Sequence, residues 1–332
     1  MTHSFQVGEV TIGGGALFLI ANLSFGASIV IYNSFLPDIA PEAERDTVSS
    51  KGFAWGYAGG ALLLALNLAM YSSPATFGID EGIAVRISLA SAGLWWGLFT
   101  LIPLKILRNR GAQRSPAPGE TILSTGFKQL FRTVAEMRKY PQTLTFLVAY
   151  LIYNDAIQTV IALSSQFGAD ELKVSMRDLT LAILMVQVIA FPGAIMFNWL
   201  AKAITAKWAV AFSLLIWTLL VIAMYGWVKT TFGFFIAAAV VALIMGGSQA
   251  LSRSLYSLMI PKGREAEYYS LYEISDKGTS WLCPLIFGLA LQFTKSYRLA
   301  ILSLIFFFAL GLVVLLKVNV RQAAIEAGNE PV

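Results

Sequence analysis

Apolar stretches of membrane-crossing length recur from near residue 12 almost to the C-terminus, and one long polar interruption, residues 107–142, divides them. A helix needs about 20 residues to cross a ~30 Å hydrocarbon core. Segments of that length are read at 12–36, 52–72 and 84–106 before the interruption. Six more follow it, at 143–165, 178–200, 207–227, 231–256, 268–293 and 297–317. None alternates in polarity as a barrel strand would, so the expected fold class is an all-α membrane bundle of about nine helices.

The division is unequal, three segments before the loop and six after. Two six-helix halves would be symmetric, so the chain reads as one lacking its first three helices. The expected domains are a partial N-terminal half (1–106), a central loop (107–142), a six-helix half (143–320) and a tail (321–332). The loop holds Gly111, Ser115, Pro116, Pro118 and Gly119, then a basic amphipathic stretch from Phe127 to Lys139, expected as a surface helix at the membrane interface.

Composition removes the soluble classes. The chain is 57% hydrophobic and 13% charged, against about 25% charged for a soluble domain. The net charge of +5 would suit a nucleic acid, but the basic residues collect in loops on one side of the segments. Those loops hold Arg45 and Lys51; Lys105 through Lys139; Lys202 and Lys207; Arg253, Lys262 and Arg264; and Lys317 and Arg321. The other side has Arg86, Lys173, Arg177, Lys229, Lys295 and Arg298. By the positive-inside rule the first set is cytoplasmic, which puts the N-terminus outside and the C-terminus inside a cell membrane. The partner is then the lipid bilayer, not nucleic acid. Met1 to Val10 carry no Lys or Arg, unlike a signal peptide.

Enzyme and metal chemistry find no support in the motifs. GxSxG, HExxH, DDxxD and a phosphate-binding glycine loop are all missing, and Gly13-Gly14-Gly15 opens a membrane segment. The single Cys283 excludes an internal disulfide, and His3 alone makes no metal site. No cofactor is expected.

Polar groups at bilayer depth are costly, so they mark candidate sites. Asn154 and Gln158 stand one turn apart on a face of the 143–165 helix, with Asp155 about 100° round. Asp155 is the candidate for proton or substrate coupling; Asn154 and Gln158 suit either cavity lining or helix-to-helix hydrogen bonds. Gln187, ahead of Phe191-Pro192-Gly193, and Gln249, beside Gly246-Gly247-Ser248, are further candidates, as are Asn22 and Asn33 with Gly26. A kink is expected at Pro192. Glu273, Asp276 and Lys277 lie at i, i+3 and i+4. If that helix enters the membrane near Ser275, they form with Arg253 an ion network at the cytoplasmic mouth.

Several stretches resemble bacterial permeases of the major facilitator superfamily related to the vacuolar autophagy permease. They are Tyr32-Asn33-Ser34-Phe35-Leu36-Pro37, Gly52 to Tyr57, Tyr153 to Thr159, Gln187 with Phe191-Pro192-Gly193, Gly247 to Ser254, and Arg264 to Gly288. The resemblance implies a transporter of twelve helices working by alternating access, built of inverted three-helix repeats. It also implies amino acids or similar small solutes as the cargo, since the fungal relatives are associated with amino-acid efflux. One stretch departs from the family. The signature resembling G-x-L-A-D-R-x-G-x-K falls at Asn198 to Lys207, where Asn198, Lys202, Ala203 and Thr205 break it.

Two functional readings follow: a secondary transporter of a small solute, with proton coupling a candidate, or a truncated membrane protein that no longer transports or serves as part of a split transporter.

Overall fold

The computed structural model describes residues 2–107, 122–277 and 281–330, with side chains from 14–107, 125–274 and 281–330. The described chain is helical, in the order α1 (Thr2–Ser34), α2 (Leu36–Ile39), α3 (Arg45–Ser72), α4 (Glu81–Ile106) and α5 (Ile122–Glu136). It continues with α6 (Pro141–Gln166), α7 (Met176–Ile204), α8 (Ala206–Gly226), α9 (Thr231–Leu258) and α10 (Glu265–Lys277). The last four are α11 (Leu282–Thr294), α12 (Tyr297–Leu302), α13 (Ile305–Lys317) and α14 (Val320–Glu326). Eight described helical spans are long and apolar enough to cross a membrane, counting α12 and α13 as one. This is a multi-pass membrane protein.

The ends of the helices follow from local chemistry. Asp80, Ser175, Thr230 and Ser296 each accept a first-turn backbone N–H, and so cap α4, α7, α9 and α12. These four helices all start at one end of the bundle. The opposite end, where α3 and α6 begin and α7 and α9 finish, carries most of the Lys and Arg and is the basic end.

The core lies around α6 and α9. Gly193 of α7 lies against the backbone of α9, where a Cβ would sit 2.6 Å from the Leu243 carbonyl oxygen. Gly247 of α9 lies against Phe197, and Gly311 of α13 against Tyr153. Small residues let helices approach closely where lipid supplies no hydrophobic drive. Near the basic end, rings from three helices join: Tyr150 of α6 stacks on Tyr272 of α10 at 4.1 Å, and Tyr272 on Tyr256 of α9 at 5.1 Å. These contacts tie α10 to the core.

Within the 268–293 segment the described residues form two helices, α10 up to Lys277 and α11 from Leu282 with Trp281 before it, and residues 278–280 lie outside the described residues. Pro284, in the first turn of α11, has no N–H to donate back to residue 280, so a continuous helix would lose that bond. At 13 residues and 1.5 Å per residue, α11 is about 20 Å long, shorter than a bilayer core. Other boundaries moved less: α1 begins at Thr2, ahead of residue 12, and α7 runs unbroken through Pro192.

Candidate functional site

The polar residues singled out in the sequence collect at three levels. Nearest the basic end, Arg253 of α9 is buried and reaches across to α1 and α3. Its Nε donates to the Ser49 hydroxyl at 2.9 Å, Nη2 to the Ser49 carbonyl at 3.2 Å, and Nη1 to Asn33 Oδ1 at 3.2 Å. The guanidinium also lies over Phe53 at 4.8 Å and Tyr32 at 5.4 Å. Burying a charge costs several kcal/mol. Three hydrogen bonds and two ring faces offset that cost. The absence of a Cβ at Gly52 leaves room here, since one would sit 3.4 Å from Nη2.

Around this group the same helices are joined further. Arg45 Nη1 donates to the Ser257 carbonyl at 2.9 Å, and the Ser49 hydroxyl to the Ala250 carbonyl at 2.6 Å. Ser254 donates to Asp46, and Thr47 to Asn198 Oδ1 at 3.1 Å. The basic end is therefore closed by a polar seam between α3 and α7 with α9. Asn198, one of the departures from the family signature, supplies an acceptor in it. Lys207, at the end of that stretch, donates to the Leu316 and Val318 carbonyls at the end of α13.

At mid-depth, Tyr57 of α3 donates to Gln249 Oε1 at 2.9 Å. Gln187 of α7 lies against Gly60 of α3, where a Cβ would stand 3.0 Å from its amide nitrogen. On α6, Asn154 and Asp155 are both buried, and Gln158 is half-buried. Asp155 Oδ2 accepts the Cys283 backbone N–H at 2.9 Å. The first-turn N–H groups of a helix have no partner within it, and that end is positive. Asp155, near the middle of α6, thus caps α11 from another helix. Tyr153 and Ser252 hydroxyls are hydrogen-bonded at 2.7 Å beside it.

This contact places the start of α11 near the middle of the bundle. Residues 276 and 277 belong to α10, the helix on which the ion network was expected. Glu273 is buried in α10; the side chains of Asp276 and Lys277 lie outside the described residues. Asn22 is not brought to the site. It is exposed, and its amide donates to the Phe18 carbonyl of its own helix at 3.1 Å.

Beyond mid-depth, toward the end opposite the seam, a cavity of about 220 Å³ lies between α6, α7, α8 and α9. Ser164, Ser165 and Gln187 are its polar lining, with Phe234, Val241 and Met245 among the apolar residues, and no charged side chain lines it. Of the sequence candidates only Gln187 reaches it. Sequence reasoning missed Ser49, Tyr57 and the Cys283 N–H. The hydroxyls stand on apolar helices with no distinguishing spacing, and a backbone donor has no signature at all.

Residues 40–328 match the family model described as "Vacuole effluxer Atg22 like". The uncharacterized MFS-type transporter YxiO of Bacillus subtilis is 31% identical over 301 residues, covering 90% of this chain and 69% of its own length. Autophagy-related protein 22 of Saccharomyces cerevisiae is 28% identical over 361 residues, covering 94% of this chain and 67% of its own. Among solved structures, the Escherichia coli fucose:proton symporter FucP superposes with a TM-score of 0.62 at 14% identity, covering 87% of this chain and 73% of FucP. That likeness concerns the fold: helices packed as in a major facilitator transporter. With sequence and fold in agreement, the chain belongs to the Atg22-like family of the major facilitator superfamily, a family of transporters and not of enzymes.

Proposed function

We propose that the chain acts in secondary active transport of a small solute by alternating access, with the basic end in the cytoplasm, the N-terminus outside and the C-terminus inside a cell membrane. The observation that carries this reading is the contrast between the two ends. One is closed by hydrogen bonds from Arg253, Arg45, Ser49, Thr47 and Ser254, while the cavity lies toward the other. A seam of hydrogen bonds to neutral oxygens and one carboxylate can part without leaving an apolar core exposed to water. Opening it while the other end closes would turn the site to the cytoplasm, with 1–106 and 143–320 as the two moving bodies.

Amino acids or similar metabolites are the proposed cargo and efflux the proposed direction, following the family's description as effluxers. The cavity's uncharged lining favours solutes that present an apolar surface to it, with Gln187 as a polar reader. Asp155 is proposed as the proton-coupling group. Its protonation would weaken the cap on α11 and release the junction between α10 and α11, and Asn154, Gln158 and Gln249 lie on the surrounding helices.

The test is counterflow of labelled L-leucine in proteoliposomes with and without a pH gradient. Asp155→Asn keeps an oxygen to accept the Cys283 N–H, so the fold should persist while the response to the gradient is lost. Unchanged gradient dependence in the variant rejects the coupling role. An absence of leucine movement by the parent protein, with movement of other solutes, rejects the cargo alone.

A further inference from the structure

Helix α5 presents three different faces. Leu130 and Thr133 of α5 turn inward, as does Met137 in the turn after it, Thr133 and Met137 being buried. Phe127, Phe131 and Val134 are 62%, 71% and 52% exposed, and at 100° per residue they fall within a stripe of about 60°. Lys128 and Arg132 lie beside that stripe, exposed, and exposed Arg138 and Lys139 follow in the turn leading into α6. Because α6 starts at Pro141 as a membrane span, this helix lies at the level where the bilayer meets water.

The inner face is fastened to one partner. Arg264, just before α10, donates to Glu136 Oε2 and Glu267 Oε2 at 2.5 Å, and the Thr133 hydroxyl reaches Glu267 at 3.4 Å. Arg264 also lies over the Tyr268 ring at 5.4 Å. Glu136, which also accepts from Arg132 at 3.0 Å, is the single acidic residue between 122 and 140. The outward charge is therefore all positive.

We propose that α5 reads the anionic lipid of the adjoining leaflet: its apolar stripe inserts at the headgroup boundary, its cations meet negative headgroups, and Arg264 passes the attachment to α10. An apolar stripe alone would suit any lipid or a protein. The flanking cations select an anionic surface, whose potential attracts each Lys or Arg near it. The link matters because α10 leads into the junction that Asp155 caps, so lipid charge would bias the segment proposed above to move. This last step rests on that functional reading; the lipid docking does not.

The experiment places an environment-sensitive dye on Ala135→Cys, an exposed position between the stripe and the cations. The protein is held in nanodiscs of phosphatidylcholine alone or mixed equally with phosphatidylglycerol, each with brominated chains as quencher. Quenching is expected in both and stronger with phosphatidylglycerol. The extra quenching should vanish when Lys128, Arg132, Arg138 and Lys139 are all changed to Gln. Equal quenching of the parent in the two lipids overturns the anionic preference, and no quenching in either means that something other than lipid covers the stripe.

Hydrogen exchange of α10 reads the coupling. It should slow with phosphatidylglycerol in the parent and become lipid-independent in Arg264→Gln, whereas exchange indifferent to lipid in the parent overturns it. Nanodiscs offer the same lipid at both ends, so neither result depends on orientation. Orientation is read separately by impermeant labelling of Lys262→Cys in intact cells.

Discussion

Helices α4 and α6 are equally apolar by mean hydropathy, yet none of the apolar window of α4 is buried in the molecule, against 61% of that of α6. In α4 only Ala84 is buried, and its side-chain hydrogen bonds to another helix are to α3, such as Ser91 with Asn67 at 3.1 Å. Helix α6 buries Phe146, Tyr150, Tyr153, Asn154 and Asp155 among others. Hydropathy measures preference for lipid over water. It does not distinguish a helix that faces lipid from one that faces other helices, because the interior is about as apolar as the bilayer.

The sharpest way to break this comparison is to make one substitution in both kinds of environment. Gly193→Ala drives a methyl into the α9 backbone at Leu243, and Gly247→Ala drives one into Phe197. Each should destabilise by about 1–3 kcal/mol, the usual range for overpacking. Gly97→Ala in α4 meets nothing within 4 Å and should stabilise slightly, by up to about 1 kcal/mol from helix propensity. Thermal unfolding in one detergent compares all three, and equal effects would show that the α7–α9 approach is not close.

Next in size is the seam. Arg253→Gln removes the cation that joins α9 to α1 and α3, with an expected loss of about 2 kcal/mol of closure. Maleimide labelling of Ser50→Cys, at a position 1% exposed, should accelerate in that variant. An unchanged rate would mean that the remaining bonds hold the seam by themselves. Gly97→Ala should leave this labelling untouched, which separates the helix left unburied by the rest of this chain from the closing region.

The smallest effect concerns α5. Hydrogen bonds from Arg264 and then Arg132 hold the Glu136 carboxyl below its ordinary range. A depressed folded value means that the stabilisation is complete above the unfolded carboxylate value and fades as pH falls through the folded one. Attachment of α5 to α10 should therefore be indifferent to pH near neutrality and weaken in acid below the usual carboxylate range. Proteolysis within α5 as a function of pH reads this, and Arg264→Gln should flatten most of the response.

Much of the fold was legible because each spanning segment is a local decision. The eight spans sit where runs of apolar residues end at polar caps such as Asp80, Ser175 and Thr230. In the 268–293 segment the described residues fall in two helices, α10 up to Lys277 and α11 from Leu282, with Pro284 in the first turn of the second. Of the site, Arg253, Asn154, Asp155 and Gln249 were visible as polar groups in apolar surroundings. Asn22 has the same signature and stays on its own helix, since a side-chain amide can satisfy itself on a carbonyl one turn back.

By itself, then, the sequence determined that this chain is a helical membrane protein and which residues are too polar to be there without a reason. Those properties depend on the transfer of single residues and on hydrogen bonds within one segment. Only the tertiary structure decided the partners: Asp155 with an N–H 128 positions away, and Arg253 with Asn33 across 220. Lipid leaves the choice of neighbours to close packing and to pairing of polar groups, and these are settled only when all the helices are in place.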